Sequence, residues 1–309
     1  MKTIGISAYG DLDHLTLLER PEPPLADDGL LVRVRASAIN PVDWKIIQGK
    51  LAGFLKHELP LTLGWDVAGI VERVGRGVTG FAPGDPVFAR PDLDRDGTHA
   101  ERIAIRAATA APMPSSLDFV QAAALPLAGL TAWEAIVAKG RVQAGERVLI
   151  HAGSGGVGSL AIQLAHHLGA TVITTASAAS ADGLRALGAD EVVDYREVDF
   201  VERARDIDLV FDTIGGDTQA RSWSCLKPGG RLWSIVQTPD VGEAERRGME
   251  SGFIFIQPDG ETLRTLAGLV EAGALRAVID TVYTPDQARE AYARSMSGRA
   301  KGKLVFRWD

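Results

Sequence analysis

The sequence predicts an α/β protein in two parts, a largely antiparallel β domain followed by a doubly wound parallel sheet. Three observations carry that prediction. Short runs in the first third alternate apolar with basic or small residues between turn signals. From Arg147 onward, strand-like runs alternate with helical ones. The turn after the first of those strands holds Gly153, Gly155 and Gly158 at G-x-G-x-x-G spacing. Period-two alternation marks half-buried strands, whereas strand–helix alternation requires right-handed crossovers and hence a parallel sheet covered on both faces.

In chain order, "GLLVRVRASAI" (Gly29 to Ile39), "DVAGIVERVG" (Asp66 to Gly75) and "GDPVFA" behind a Pro-Gly turn signal read as strands. Around Leu117 to Ala138 the pattern becomes alanine-rich and helical. "RVLIHA" is then a strand, "GVGSLAIQLAHHLG" a helix ending at Gly169, "TVITTA" a strand, "ADGLRALG" a helix, "EVVDY" a strand, "DLVFDTIGG" a buried strand leaving through glycines, and "GGRLWSIV" another strand. A helix at about Asp259 to Ala272, the strand "AVIDTVY", the helix "PDQAREAYARSMS" and the strand "KLVFRW" complete the chain. There is no internal repeat or low-complexity linker.

The bulk properties narrow the function classes. A chain of 309 residues, 46% hydrophobic and 24% charged, buries a large core, and its length favours two domains. A net charge of −7 with scattered Lys and Arg forms no concentrated basic face, so neither nucleic acid nor an anionic membrane surface is an expected partner. Cys225 is the only cysteine, which excludes an intramolecular disulfide and a cysteine-rich metal site and suits a reducing compartment. The N-terminal "MKTIGISAYGDLDHL" lacks the apolar segment of a signal peptide, and no run approaches the roughly 18 apolar residues of a membrane span. The expected location is cytoplasmic.

A glycine triplet alone is weak, because glycines also mark turns that bind nothing. Here a strand precedes it and an apolar helix follows. Gly155 and Gly156 then permit close approach of the backbone to a pyrophosphate, Gly158 lets the helix lie against the strand, and the helix start presents unpaired N–H groups. The acid that would take a ribose 2′-hydroxyl about 20 residues further on is missing. Thr175, Ala176 and Ser177 occupy that zone, and Asp182 belongs to the next helix. Ser177 and Ser180 can donate to a phosphate and Arg185 or Arg196 can supply charge, which favours NADP(H) over NAD(H). The competing reading makes Ser177 a helix cap.

These residues belong to a longer series: "AINPVDWK" (Ala38 to Lys45), "GWDVAGIVERVGRGVTGFAPGDPVFA" (Gly64 to Ala89), "ALPLAGLTAWEA" (Ala124 to Ala135), "GERVLIHAGSGGVGSLAIQLA" (Gly145 to Ala165), "LGADEVVDY" (Leu187 to Tyr195) and "KGKLVF" (Lys301 to Phe306). With them the chain resembles, nearly end to end, the zinc-independent quinone oxidoreductase branch of the medium-chain dehydrogenase/reductase superfamily. The resemblance implies a GroES-like β domain from residues 1–121 and 261–309, with a Rossmann NADP(H)-binding domain, 122–260, inserted between. Where zinc-dependent members carry ligands, this chain has Asn40, Trp65 and Leu127, none of them a credible zinc ligand.

The resemblance also implies residue roles. Asn40 is an amide donor to the acceptor carbonyl, and Thr131 is a hydroxyl set against the nicotinamide. Gly153, Ser154, Gly155, Gly156, Val157 and Gly158 form the pyrophosphate turn. Ser177 and Tyr195 contact the 2′-phosphate, with Lys303 a weaker candidate there. Trp65 and Phe54 line the substrate pocket, Phe54 being the only aromatic of "GKLAGFLKHELPLTLG", where many quinone reductases of this kind carry a tyrosine. Each role has a plain structural alternative: a turn bond for Asn40, a helix-start position for Thr131, a core aromatic for Tyr195. Asp43 is expected to be the N-cap of the helix "DWKIIQG". The histidines, His14, His57, His99, His151, His166 and His167, have no metal-like spacing.

The expected activity is NADPH-dependent hydride transfer to a quinone or activated alkene. An enoyl-thioester reductase and a non-catalytic NADPH-binding protein stay open beside it. The apolar run "SGFIFIQ" (Ser251 to Gln257) is expected at a sheet edge, where it would pair with its copy in a homodimer.

Overall fold

A computed structural model describes residues 1–308. The chain divides into two compact units, the first comprising Met1–Leu130, Gln257–Gly273 and the segment from Ala277 onward, the second Thr131–Ile256 and Ala274–Arg276. The chain leaves the first unit inside the helix Pro126–Trp133 rather than ahead of it. Close packing explains why: a side chain on Gly129 would come within 2.9 Å of Leu266 in the first unit, and Ala122 to Leu125 are buried.

The first unit is built on strand Gly29–Ile39, whose eleven residues are nearly all buried. It pairs antiparallel with Val67–Val74 and Arg102–Arg106 and, toward its C-terminal end, with Lys303–Arg307. A single strand flanked this way is enclosed on several sides, so its Arg33 is exposed while most of its other residues contribute to the core. Pro86–Ala89, Ala110–Pro112 and Ile279–Tyr283 complete a seven-stranded sheet. Trp65, Phe88, Tyr292 and Phe306 fill its interior.

The second unit is a six-stranded, all-parallel sheet in the order Glu191–Asp194, Thr171–Ala176, Arg147–Ile150, Ile207–Asp212, Leu226–Ser234, Glu250–Phe253. Numbered along the chain this is 3-2-1-4-5-6, the doubly wound order whose ligand crevice opens at the carboxyl ends of the first and fourth strands. Strand Ile207–Asp212 is buried at every position, as a strand covered on both faces requires. Glu250–Phe253 forms the edge, pairing within the described residues only with Leu226–Ser234. Along the run only one face is covered: Ile254 is buried, while Phe253 and Phe255 are 43% and 41% exposed.

Candidate active site

In the first unit three strand ends converge. Register pairs Leu304 with Ile39 and Val67 with Ser37, so Lys303, the first residue of its strand, meets Asn40 and Asp66, each one step beyond a strand, although the three are far apart in sequence. Lys303 Nζ donates to Asn40 Oδ1 at 2.6 Å and to Asp66 Oδ2 at 2.8 Å. Asn40 Nδ2 donates to Asp66 Oδ2 at 2.8 Å, and Asp66 Oδ1 accepts the N–H of Leu127 at 2.6 Å, at the start of helix Pro126–Trp133. All three side chains are buried. Burial raises the Asp66 pKa, and the Lys303 ammonium, the Asn40 amide and the Leu127 N–H oppose that rise.

This geometry corrects the reading of Lys303 as a phosphate contact. Its ammonium is committed inside the first unit to one carboxylate and one amide. Trp65 is corrected as well: it has no exposed surface and lies in the core with its indole N–H on the Asp92 carbonyl, so it presents no wall to a substrate. Phe54 is 68% exposed. Asp43 is the third residue of helix Pro41–Ile47, not its N-cap; Asn40 occupies the cap position and donates its backbone N–H to Asp43 Oδ2 at 2.8 Å. Pro41, with its fixed φ and no N–H, suits the first helical position.

Asp43 is wholly buried, and burial pushes its pKa up to about 8 against the opposing pull of the Asn40 N–H and Lys303; Asp66 adds to the rise. His99, 3.9 Å from it, is driven down to about 3 by burial and by Lys303. His99 presses on Gly64, where φ is +90° and a Cβ would collide with the imidazole. Burial therefore keeps both groups neutral near pH 7.

In the second unit, strand Arg147–Ile150 runs into the glycine turn, and helix Gly156–His167 begins with Gly155 as its N-cap. Ala152, at φ +51°, turns the chain, and Thr175 Oγ1 accepts its N–H at 3.1 Å. Gly153 and Gly158 are closed in by the protein: a Cβ on Gly153 would strike Thr174, and one on Gly158 would lie 2.5 Å from the Ala152 carbonyl. Gly155 differs. Its φ is −76°, and a Cβ there would meet only the Ala152 oxygen, at 3.4 Å. The fold thus has no need of glycine at 155, and the open space over it fits a ligand lying against the backbone. Ser154, Gly156 and Val157 are part-exposed around it, and the first-turn N–H groups have no intrahelical acceptor.

Ser177 and Tyr195 follow the paired ends of neighbouring strands, with Ala176 opposite Asp194. Ser177 stands at the N-cap of the short turn Ala178–Ser180 but makes no side-chain cap bond, and Asp194 Oδ2 takes the Ala178 N–H at 2.9 Å. Its hydroxyl stays available. Tyr195 is 58% exposed, not a core aromatic, and the Arg196 guanidinium lies over its ring at 5.5 Å. Arg185 is instead paired with Asp182 at 3.1 Å. Of the two arginines considered for phosphate charge, Arg196 is the one whose guanidinium has no acidic partner among the described residues, its backbone N–H alone donating to Asp194 Oδ1 at 3.0 Å. Thr131 is buried within helix Pro126–Trp133.

Sequence reasoning missed Asp66 as a site residue. Its signal was present: an acid in "GWDVAG" at the start of a strand, where burial demands a partner cation.

Both halves of this arrangement have counterparts. An alcohol dehydrogenase GroES-like domain profile matches residues 26–115, and a zinc-binding dehydrogenase profile matches 187–306. The 2-methylene-furan-3-one reductase of Solanum lycopersicum is 36% identical over 99% of this chain and 79% of that protein. The chloroplastic NADPH-dependent alkenal/one oxidoreductase of Arabidopsis thaliana is 35% identical over the same shares. The structure of the quinone oxidoreductase from Coxiella burnetii superposes with a TM-score of 0.93 at 36% identity, covering 100% of this chain and 99% of that one. A GroES-like β unit joined to a doubly wound nucleotide-binding sheet defines a two-domain reductase. The chain belongs to the medium-chain dehydrogenase/reductase superfamily, in its zinc-independent quinone oxidoreductase branch.

Proposed function

We propose that this chain is an NADPH-dependent oxidoreductase that reduces a quinone or an α,β-unsaturated carbonyl without a metal. The observation that carries the reading is the open Gly155 turn beside the Ser177–Tyr195–Arg196 corner, whose one carboxylate, Asp194, is taken up by the Ala178 and Arg196 backbone N–H groups, a pairing suited to a dinucleotide bearing a 2′-phosphate. NADPH supplies the hydride when bound.

The chain's own residues do the rest. The Gly153–Gly158 turn holds the pyrophosphate on helix N–H groups. The Ser177 and Tyr195 hydroxyls and the Arg196 guanidinium take the 2′-phosphate. Asn40 donates from its amide to the acceptor oxygen as negative charge develops there, and Thr131 sets the ring. An acceptor conjugated to its carbonyl spreads the incoming charge, so an amide donor is sufficient where an alcohol dehydrogenase needs a Lewis acid. The exposed, apolar Phe54 gives the rim no hydroxyl to read a second carbonyl, which supports enones and enals alongside quinones.

No helix among the described residues is long and apolar enough to cross a membrane. The cytoplasm is the proposed location, and the edge strand Glu250–Phe253 with exposed Phe253 supports a homodimer by edge pairing, which light scattering measures directly.

The test is NADPH oxidation against a panel of quinones, enals, enones and enoyl-thioesters, before and after dialysis against EDTA. Turnover with quinones or enones, unchanged by EDTA, is expected. Tight NADPH binding with no turnover would make the chain a binding protein, and turnover confined to thioesters would make it an enoyl reductase.

A further inference from the structure

The Asn40 carboxamide has two faces with opposite chemistry, and only one of them suits the donor role. Its surroundings choose that face. Oδ1 lies 2.6 Å from an ammonium and Nδ2 lies 2.8 Å from a carboxylate, while the second N–H of Nδ2 has, among the described residues, only the Ala38 carbonyl, at 3.4 Å. Turning the amide over would bring its oxygen against Asp66 and its NH₂ against Lys303, exchanging two charge-assisted bonds for two repulsive contacts. The Lys303 and Asp66 side chains are 6% and 0% exposed, so solvent hardly weakens this preference.

We propose that Lys303 is a positioning residue for the reduction: anchored on Asp66, its ammonium locks the Asn40 carboxamide in the orientation that leaves a loosely held N–H, not the oxygen, as its second contact, and polarises it as a donor to the acceptor oxygen. An ammonium on the carbonyl end draws electron density from the amide nitrogen, so the loosely held second N–H becomes the stronger donor when the acceptor oxygen charges. The inference rests on the donor role proposed for Asn40. It also accounts for a buried lysine in a core that a hydrophobic side chain could have filled.

Asn40 is the only asparagine in the chain, so protein labelled with ¹⁵N-asparagine shows one side-chain amide. In the wild type the two amide protons are expected as distinct resonances, well separated from free asparagine and slow to exchange with solvent. In Lys303→Met they are expected to move together toward free-asparagine values and to exchange faster. kcat should fall at least tenfold, with the Kd for NADPH within twofold of wild type. Lys303→Arg, which keeps charge and donors, should recover most of both signals.

Free-asparagine shifts in the wild type overturn the proposal outright. So does a folded Lys303→Met with unchanged Asn40 resonances or unchanged kcat. If Lys303→Met does not fold, the wild-type spectrum and Lys303→Arg decide: a folded Lys303→Arg with wild-type amide resonances supports the lock, and one with free-asparagine resonances overturns it. Failure of the wild type to reduce any acceptor would instead defeat the functional reading, and the amide spectrum would still report on Lys303.

Discussion

The two places where chemistry gathers are made in opposite ways. The glycine turn of the second unit is contiguous, Gly153 to Gly158, and works through backbone N–H groups and absent side chains. The cluster of the first unit joins positions 40, 66 and 303 and works through buried charges that only strand register brings together. Backbone sites tolerate little change in shape; charge clusters tolerate little change in balance. Substitutions should separate the two.

The largest effect is expected from Asp66→Ala, which leaves the Lys303 ammonium buried without its carboxylate and Leu127 N–H without its acceptor. Removing one partner of a buried pair costs about 3–5 kcal/mol, and urea denaturation should register it. An unchanged midpoint would show that the cluster does not hold its unit together.

Ser177→Ala probes the second unit with no expected cost in stability. Losing a charge-assisted phosphate contact costs about 1.5–3 kcal/mol. NADPH should therefore weaken while NADH stays as it was, measured by fluorescence titration. Equal losses for both cofactors would move the 2′-phosphate elsewhere.

Within the glycine turn, Gly158→Ala must push the Ala152 carbonyl aside and should destabilise by about 1–3 kcal/mol. Gly155→Ala has room in the fold and should leave the melting temperature nearly unchanged while weakening NADPH about tenfold or more, roughly 1.4 kcal/mol. Loss of stability from the second substitution would mean that Gly155 serves the turn and not a ligand.

The smallest effect concerns Asp43. Its folded pKa of about 8 lies above the ordinary 3.8, so between those values the folded state holds a proton that the unfolded chain has released. Stability therefore falls as pH rises from about 4 to 8. Asp43→Asn, which can still accept the Asn40 N–H, removes that slope: expected gains are nil near pH 4 and about 1–2 kcal/mol near pH 8, allowing for relaxation around the charge. A gain independent of pH would assign Asp43 no titration in the fold.

Legibility followed the same division. Strand Gly29–Ile39 and the helix from Gly156 could be read from periodicity, and the missing acid after strand Thr171–Ala176 from spacing, because each lies within one stretch of chain. Lys303 was misplaced for a physical reason. A lysine in "KGKL" looks like a surface cation, and its burial depends on Leu304 pairing with Ile39, a register set by the whole sheet. Trp65 reads as a pocket wall because its complete burial in the core of the first unit depends on packing between residues far apart in sequence. Asp43 was displaced by three residues because the helix begins at Pro41, with only Asn40 between it and the strand that ends at Ile39.

By itself the sequence determined the strand–helix alternation, the parallel sheet it implies, the glycine turn and the missing acid, because backbone geometry and side-chain period act over a few residues. Only the tertiary structure decided which glycines are closed in by the fold and which has open space over it, which guanidinium has no acidic partner among the described residues, and that a lysine at 303 answers an asparagine at 40. Those outcomes depend on distances between strands that sequence separation does not encode, and on burial, which turns an ordinary charge into one that must be paired.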